Sequence, residues 1–125
     1  MESALAPEVR AFITRHIVSI EELEVLLLLH DFRDRDWSAA EVNDRLRSHE
    51  PSIAKWLETL VASALIRAEG GRYRIAPPAE ELDREITAVA EAYRTRRTKV
   101  IEFIFSKPNE NLLSFVRAFD LRKRP

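Results

Sequence analysis

The adjacent pair Gly70 and Gly71 constrains the fold of this chain more than any other feature, because these are its only two glycines. Short runs of strand-like composition flank the pair, at residues 66–69 and 72–75. Two adjacent glycines accept the positive φ angles that both central residues of a type I′ turn adopt. The sequence therefore predicts an antiparallel hairpin with the two glycines at its tip.

Two predicted helices before the hairpin begin at a serine that is followed three residues later by a glutamate. Ser19 and Glu22 form one such pair, and Ser38 and Glu41 form the other. In a capping box the serine side chain accepts a hydrogen bond from the glutamate amide, and the glutamate side chain accepts one from the serine amide. The two helices predicted from these signals are residues 20–32 and 39–47.

Apolar residues at helical spacing predict the remaining helices. One helix begins at Pro7 and ends near Ile17, and another begins at Pro51 after a short linker. A longer helical pattern follows the hairpin, with one polar gap near Arg96 and Arg97, and its apolar positions are Leu82, Ile86, Val89, Tyr93, Val100 and Ile104. A last amphipathic stretch contains Leu112, Leu113, Val116 and Phe119.

Composition argues against catalysis and against metal binding. The 125 residues suit a single domain, and the absence of cysteine removes disulfides, Cys-ligated zinc and thiol nucleophiles. The three histidines, His16, His30 and His49, fall on different predicted elements and lack metal-ligand spacing. The sequence also has no signal-peptide pattern, membrane-spanning apolar run or phosphate-binding glycine loop. We therefore expect a cytoplasmic, non-membrane protein that is not an enzyme and has no metal or other cofactor.

The net charge of −1 conceals an uneven distribution along the chain. Residues 1–93 carry a net charge of −7, whereas residues 94–125 carry +6. A basic end on an acidic body suggests a docking surface for nucleic acid, for an acidic partner or for the acidic half of a second copy. The alternative is that these cations form a solvated helix face.

The order of elements from residue 20 to residue 75 resembles that of the MarR-like and related winged helix-turn-helix regulators. The segment 37–42, WSAAEV, is similar to their "s-a-x-E-[LIV]" opening of the second helix. The segment 57–66, LETLVASALI, is similar to their "L-x-x-L-x-x-x-G-L-[IV]" ending of the third, with Ala64 in place of the usual glycine. The resemblance implies a mainly α (α+β) fold: a winged helix-turn-helix core, residues 20–75, whose wing is the two-stranded hairpin, with additional N- and C-terminal helices.

The resemblance further implies that the helix beginning at Pro51 enters a major groove of DNA while the wing contacts the backbone beside it. Ser52 and Lys55 are then candidates for phosphate or base contacts, and Glu58 could accept a hydrogen bond from a cytosine amine. The wing arginines would contact phosphates. The expected DNA-binding residues are Ser52, Lys55, Glu58, Thr59, Arg67, Arg72 and Arg74.

A homodimer is also expected, because MarR-like proteins dimerise through their N- and C-terminal helices and such segments flank the core here. Residues 80–125 are the predicted dimerisation or partner-binding region. Its long apolar stripe also exceeds what a small domain could cover alone, if it forms one helix. The expected dimerisation residues are Ile86, Val89, Tyr93, Val100, Ile104 and Phe105.

Charge leaves a second function open. Residues 38–75 contain six Lys or Arg and five Asp or Glu, so the expected reading unit is nearly neutral. Most sequence-independent affinity for a duplex comes from neutralising its phosphates. The sequence is therefore compatible with a DNA-binding transcriptional regulator, and also with a winged-helix protein-protein adapter that lacks appreciable DNA binding.

Overall fold

The computed structural model describes residues 5–106, which form six α-helices and one two-stranded antiparallel sheet. The mainly helical architecture with a hairpin is compatible with the α+β layout expected from the sequence. No helix in this range is long and apolar enough to cross a membrane. The elements are α1 (Pro7–His16), α2 (Ile20–Asp31), α3 (Ala39–Leu46), α4 (Glu50–Ala62), β1 (Ile66–Glu69), β2 (Arg72–Ile75), α5 (Glu80–Thr95) and α6 (Arg97–Ser106).

Helix α2 lies at the centre of the core, because its apolar side chains are distributed around most of its circumference. It packs against α3, α4, α5 and β2. Fully burying one leucine or valine side chain contributes about 1.5–3 kcal/mol to the free energy of folding. The buried apolar residues of α2 are Leu23, Val25, Leu26, Leu27 and Leu29.

The capping box predicted at Ser38 is confirmed. Ser38 Oγ accepts from the Glu41 amide at 3.1 Å, and Glu41 Oε1 accepts from the Ser38 amide at 3.0 Å. At α2 only half of the predicted box forms: Ser19 Oγ accepts from the Glu22 amide at 2.9 Å, but Glu22 Oε1 accepts from the amide of Val18 at 2.8 Å. The cap backbone is more extended at Ser19 (φ −147°) than at Ser38 (φ −84°).

The hairpin forms as predicted. Strands β1 and β2 pair antiparallel from Ile66 opposite Ile75 to Glu69 opposite Arg72. Gly70 and Gly71 have φ angles of +60° and +77°, the left-handed region that favours glycine. The pair at the tip is therefore required by the backbone conformation of the turn.

The segment before α3 also pairs with the hairpin, which the sequence did not predict. The Trp37 amide donates to the Tyr73 carbonyl and the Tyr73 amide donates to the Trp37 carbonyl, both at 2.8 Å. Trp37 is itself buried. These contacts join β2 to the segment before α3, so the hairpin is held there as well as at the ends of its own strands.

Helix α4 ends in a Schellman motif, a common C-terminal arrangement in which a left-handed residue lets two amides reach back to the last turn. The Leu65 amide donates to the Leu60 carbonyl at 3.1 Å, and the Ala64 amide donates to the Val61 carbonyl at 2.9 Å. Ala64 has a φ of +66°, so an alanine occupies the conformation that glycine adopts most readily.

The C-terminal half corrects the expectation of one long helix. Helix α5 ends at Thr95, Arg96 adopts φ −137° and ψ 50°, and α6 begins at the next residue. Helix α6 packs against both α5 and α1. The apolar stripe is therefore split between two helices, and both are covered by other elements of the same chain. The amphipathic stretch with Leu112, Leu113, Val116 and Phe119 lies outside the described residues.

The conformation of Ala64 predicts that glycine stabilises the fold at this position. A non-glycine residue in the left-handed region costs about 1 kcal/mol relative to glycine, so Ala64→Gly should raise the free energy of unfolding by that amount. Ala54→Gly, in the interior of α4, should instead lower it by about 1 kcal/mol. Urea denaturation followed by circular dichroism measures both changes, and a destabilised Ala64→Gly variant would contradict the proposed strain.

Candidate nucleic-acid interface

The candidate interface consists of α4, the linker before it and the hairpin. The linker is compact because Arg47, the C-terminal cap residue of α3, has a left-handed φ of +56°. Its conformation is fixed further by Ser48, whose amide donates to Asn43 Oδ1 at 3.0 Å. Helix α4 then begins at Glu50, with Pro51 in its first turn. This tight linker places α3 and α4 in direct contact.

One carboxylate on α2 connects the linker and the first turns of α4. Glu21 accepts hydrogen bonds from Ser48 Oγ, from Ser52 Oγ and, at 2.9 Å, from Trp56 Nε1. Ser52 and Trp56 are four residues apart, so they lie on the same stripe of the helix. The hydroxyl of Ser52, an expected DNA contact, is therefore directed towards α2 and already paired within the chain.

The surroundings of Glu21 lower its pKa below the ordinary value of 4.5. Desolvation by burial acts in the opposite direction and would raise the pKa. Hydrogen bonds from Ser48, Ser52 and Trp56, together with the positive potential of His49, outweigh it. Glu21 is thus held in its charged form by the groups it connects.

The outward face of α4 presents a different set of groups. Lys55 and Glu58 are exposed, and the Lys55 ammonium lies 5.9 Å from the centre of the Trp56 ring. Thr59 is half-buried and its Oγ1 donates to the Lys55 carbonyl at 3.0 Å, a contact within the helix. Of the four α4 residues expected to contact DNA, Lys55 and Glu58 are therefore the two whose side chains are exposed.

Two of the three hairpin arginines form ion pairs, one with α3 and one with the segment that leads into it. Arg72 lies 2.7 Å from Glu41 Oε1 and also donates to the carbonyl of Asp36 at 3.1 Å. Arg74 lies 3.2 Å from Asp36 Oδ1. Arg67 is exposed, and among residues 5–106 no ion pair is recorded for it. The hairpin therefore presents one arginine without an ion pair among residues 5–106, where the sequence suggested three.

Glu41 has two structural roles at this position. Its backbone hydrogen bond from Ser38 is the main reason why its pKa is lowered, and the nearby guanidinium groups of Arg72 and Arg35 lower it further. Its carboxylate thus caps α3 and holds the hairpin arginine. Sequence reasoning identified the cap and missed the pairing with Arg72, because the two residues are far apart in the chain.

The expected dimerisation residues divide into covered and exposed positions. Ile86, Val89, Val100 and Ile104 are buried within the chain's own core, so an interface built from them would require the core to open. Tyr93 is half-buried, and its hydroxyl donates to Glu24 Oε2 at 2.7 Å. Phe105 is 78% exposed. Homodimerisation remains a prediction, and Phe105 is the residue of this set that can contact another molecule.

Residue Phe105 borders a shallow groove of ≈ 480 Å³ between the start of α2, α4 and the end of α6. Val18, which also lines this groove, is 38% exposed. A larger open groove of ≈ 910 Å³ lies between α2, α3 and α5. Within residues 5–106, no group of three or more acidic or histidine side chains is placed to hold a metal ion.

Comparisons with protein-family models, curated proteins and solved structures found no match. The functional conclusion therefore depends on the contacts and charges of the described residues.

The lowered pKa of Glu21 predicts a pH-dependent contribution to stability. This carboxylate should stabilise the folded chain above pH 4.5, and the contribution should be lost as the pH falls through the lower folded-state pKa. Glu21→Gln should reduce the free energy of unfolding at neutral pH by about 1–2 kcal/mol, and the difference from the unchanged chain should shrink in acid. Denaturation between neutral pH and about pH 3 tests this. Glu58→Gln, on the exposed face of α4, is the control, and a pH-independent loss in Glu21→Gln would contradict the prediction.

The burial of Ile86 and the exposure of Phe105 predict different outcomes for charged substitutions. Ile86→Glu should unfold the chain, because it places an unpaired carboxylate in the core. Phe105→Glu should change the free energy of unfolding by less than about 0.5 kcal/mol, as surface substitutions do, and should dissociate any dimer that forms through this residue. Circular dichroism and light scattering measure the two effects. A folded Ile86→Glu chain, or a dimer unaffected by Phe105→Glu, would contradict the respective assignment.

Proposed function

We propose that this chain is a winged helix-turn-helix DNA-binding protein that regulates transcription in the cytoplasm, without catalysis. In this proposal α4 enters the major groove and the β1–β2 hairpin is the wing that contacts the adjacent backbone. The paired hydrogen bonds between Trp37 and Tyr73 are the observation that carries the proposal. They attach the hairpin to the segment before α3, while Lys55 and Glu58 remain exposed on α4.

Rigid attachment of the hairpin matters because backbone contacts set the orientation in which a reading helix meets the base edges. A hairpin held only at its own two ends could pivot relative to α4. The chain holds it additionally at Tyr73, and the ion pairs of Arg72 and Arg74 act in the same region. A fixed angle between wing and helix is what groove recognition requires.

The charges of the interface predict weak binding by a single copy. Lys55 and Arg67 are the expected DNA contacts whose cations have no ion pair recorded among residues 5–106. Each neutralised phosphate contributes about −0.9 to the dependence of log K on log salt, so two contacts give a slope of about −2. A homodimer would present both sets at once, and the proposal therefore includes two copies on one duplex.

A second candidate function is a protein-protein adapter, and the pairing of the wing arginines favours it. Arg72 and Arg74 must leave Glu41 and Asp36 before they can bind phosphates, and each departure exposes a carboxylate to the duplex. The exposed Glu50 and Glu58 on α4 repel phosphates as well. An adapter would keep the same fold and use the exposed faces for a protein partner.

The different environments of Arg67 and Arg72 predict different effects on DNA binding. Arg67→Ala should weaken binding to all duplexes and reduce the salt slope by about 1, because one phosphate contact is lost. Arg72→Ala removes the same charge from the same hairpin but should change the slope by less than about 0.3, since Glu41 already holds that arginine. Fluorescence anisotropy with labelled duplex, starting near about 50 mM salt, measures both slopes.

Three outcomes of this experiment have distinct meanings. A larger effect of Arg67→Ala supports the proposed wing contact. Equal effects of the two substitutions would show that the Arg72–Glu41 pair opens on the duplex, against the charge distribution argued above. No binding of the unchanged chain to any duplex at low salt would reject the proposed function in favour of the adapter.

A further inference from the structure

Helix α4 is held against α2 by two kinds of contact. On one side Ile53, Leu57 and Leu60 are fully buried in the core. On another, Ser52 and Trp56 donate to Glu21. Apolar burial is non-directional, so it fixes how closely the helix packs more firmly than how the helix is rotated about its axis. Hydrogen bonds prefer narrow ranges of distance and angle, so they fix that rotation.

The acceptor geometry makes Glu21 the common point of the helix-turn-helix segment. Its Oε1 accepts from Ser52 and Trp56, in two successive turns of α4, and its Oε2 accepts from Ser48 in the linker. A carboxylate can accept about four hydrogen bonds, so both oxygens have capacity for these donors. One side chain of α2 therefore fixes the linker and the rotation of α4 together.

We propose that Glu21 is the positioning residue of the reading helix: by holding Ser48, Ser52 and Trp56 it sets the rotation at which Lys55 and Glu58 meet the bases. This inference rests on the proposed DNA-binding function. It also changes the role of Ser52, from an expected DNA contact to a donor that orients the helix from inside the protein.

An electrostatic role and a positioning role for Glu21 predict different effects on DNA binding, which makes the proposal testable. Removing the negative charge of Glu21 reduces repulsion of phosphates and favours every duplex equally. Allowing α4 to rotate misplaces its base-contacting side chains and affects only sequences that make good contacts. A purely electrostatic role for Glu21 therefore predicts tighter binding of all duplexes, whereas a positioning role predicts loss of discrimination between them.

The experiment compares two isosteric substitutions on α2. A preferred duplex is first selected from a randomised pool with the unchanged full chain. The discrimination ratio is the Kd for a scrambled duplex divided by the Kd for the preferred duplex. Glu21→Gln should lower this ratio about tenfold, the scale of one well-made base contact, while binding to the scrambled duplex stays equal or tightens. Glu24→Gln is the matched control, because Glu24 lies on the same helix but holds Tyr93 and Arg97.

A spectroscopic measurement follows the contact itself. The ¹H–¹⁵N signal of the Trp56 indole N–H should shift in Glu21→Gln and stay in place in Glu24→Gln, since only the first substitution changes its acceptor. If Glu21→Gln does not fold, Trp56→Phe and Ser52→Ala each remove one donor and should lower the discrimination ratio in the same direction.

Each outcome bears on one of the two ideas. A discrimination ratio unchanged in both donor variants would overturn the positioning role and leave DNA binding intact. An equal loss in Glu21→Gln and Glu24→Gln would also overturn it, since general destabilisation would explain both. Absence of any preferred duplex for the unchanged chain would reject the proposed function and this inference with it.

Discussion

The burial of α2 on most of its sides is the constraint on which the rest of the structure depends. A helix that is apolar around its circumference must be covered from several directions, and α3, α4, α5 and strand β2 of the hairpin provide that cover. The polar residues of α2 lie where these neighbours meet it. Glu21 holds α4, Glu24 holds Tyr93 of α5, and His30 is within 3.0 Å of the Thr87 hydroxyl. One helix thus supplies the core and, through a few polar contacts, the orientation of its neighbours.

Internal pairing of charges determines how much of the electrostatic potential is available to a partner. The segment before α3 supplies Asp36, and α3 supplies Glu41, which together neutralise Arg72 and Arg74 of the hairpin. These pairs are about half exposed, so each adds little to stability, and their main effect is to orient the hairpin and reduce its positive charge. Under the proposed function, one copy arranged in this way would bind a duplex weakly. Its discrimination between duplexes would then depend on how accurately α4 is held, which gives Glu21 its proposed importance.

Much of the fold could be predicted because its signals are local. The glycine pair predicted the hairpin, and the Ser38 cap and the prolines near helix starts predicted where helices begin, since each acts within a few residues. Predictions that needed long-range information were less accurate. The polar gap near Arg96 was visible, but the pattern alone did not show that the chain would divide there into two helices, each covered by its neighbours. The predicted DNA-contact residues were selected by position on a helix or a hairpin, a criterion that ignores neighbouring side chains.

The sequence by itself determined where α1 to α4 start, where the hairpin turns and which faces are apolar, because capping, turn geometry and periodicity depend on adjacent residues. The tertiary structure alone decided which polar side chains remain available. It paired Ser52 with Glu21 and Arg72 with Glu41, each separated by 31 positions in the chain, and it attached Tyr73 to Trp37. These pairings result from tertiary packing. A local sequence pattern does not specify which distant residues that packing brings together.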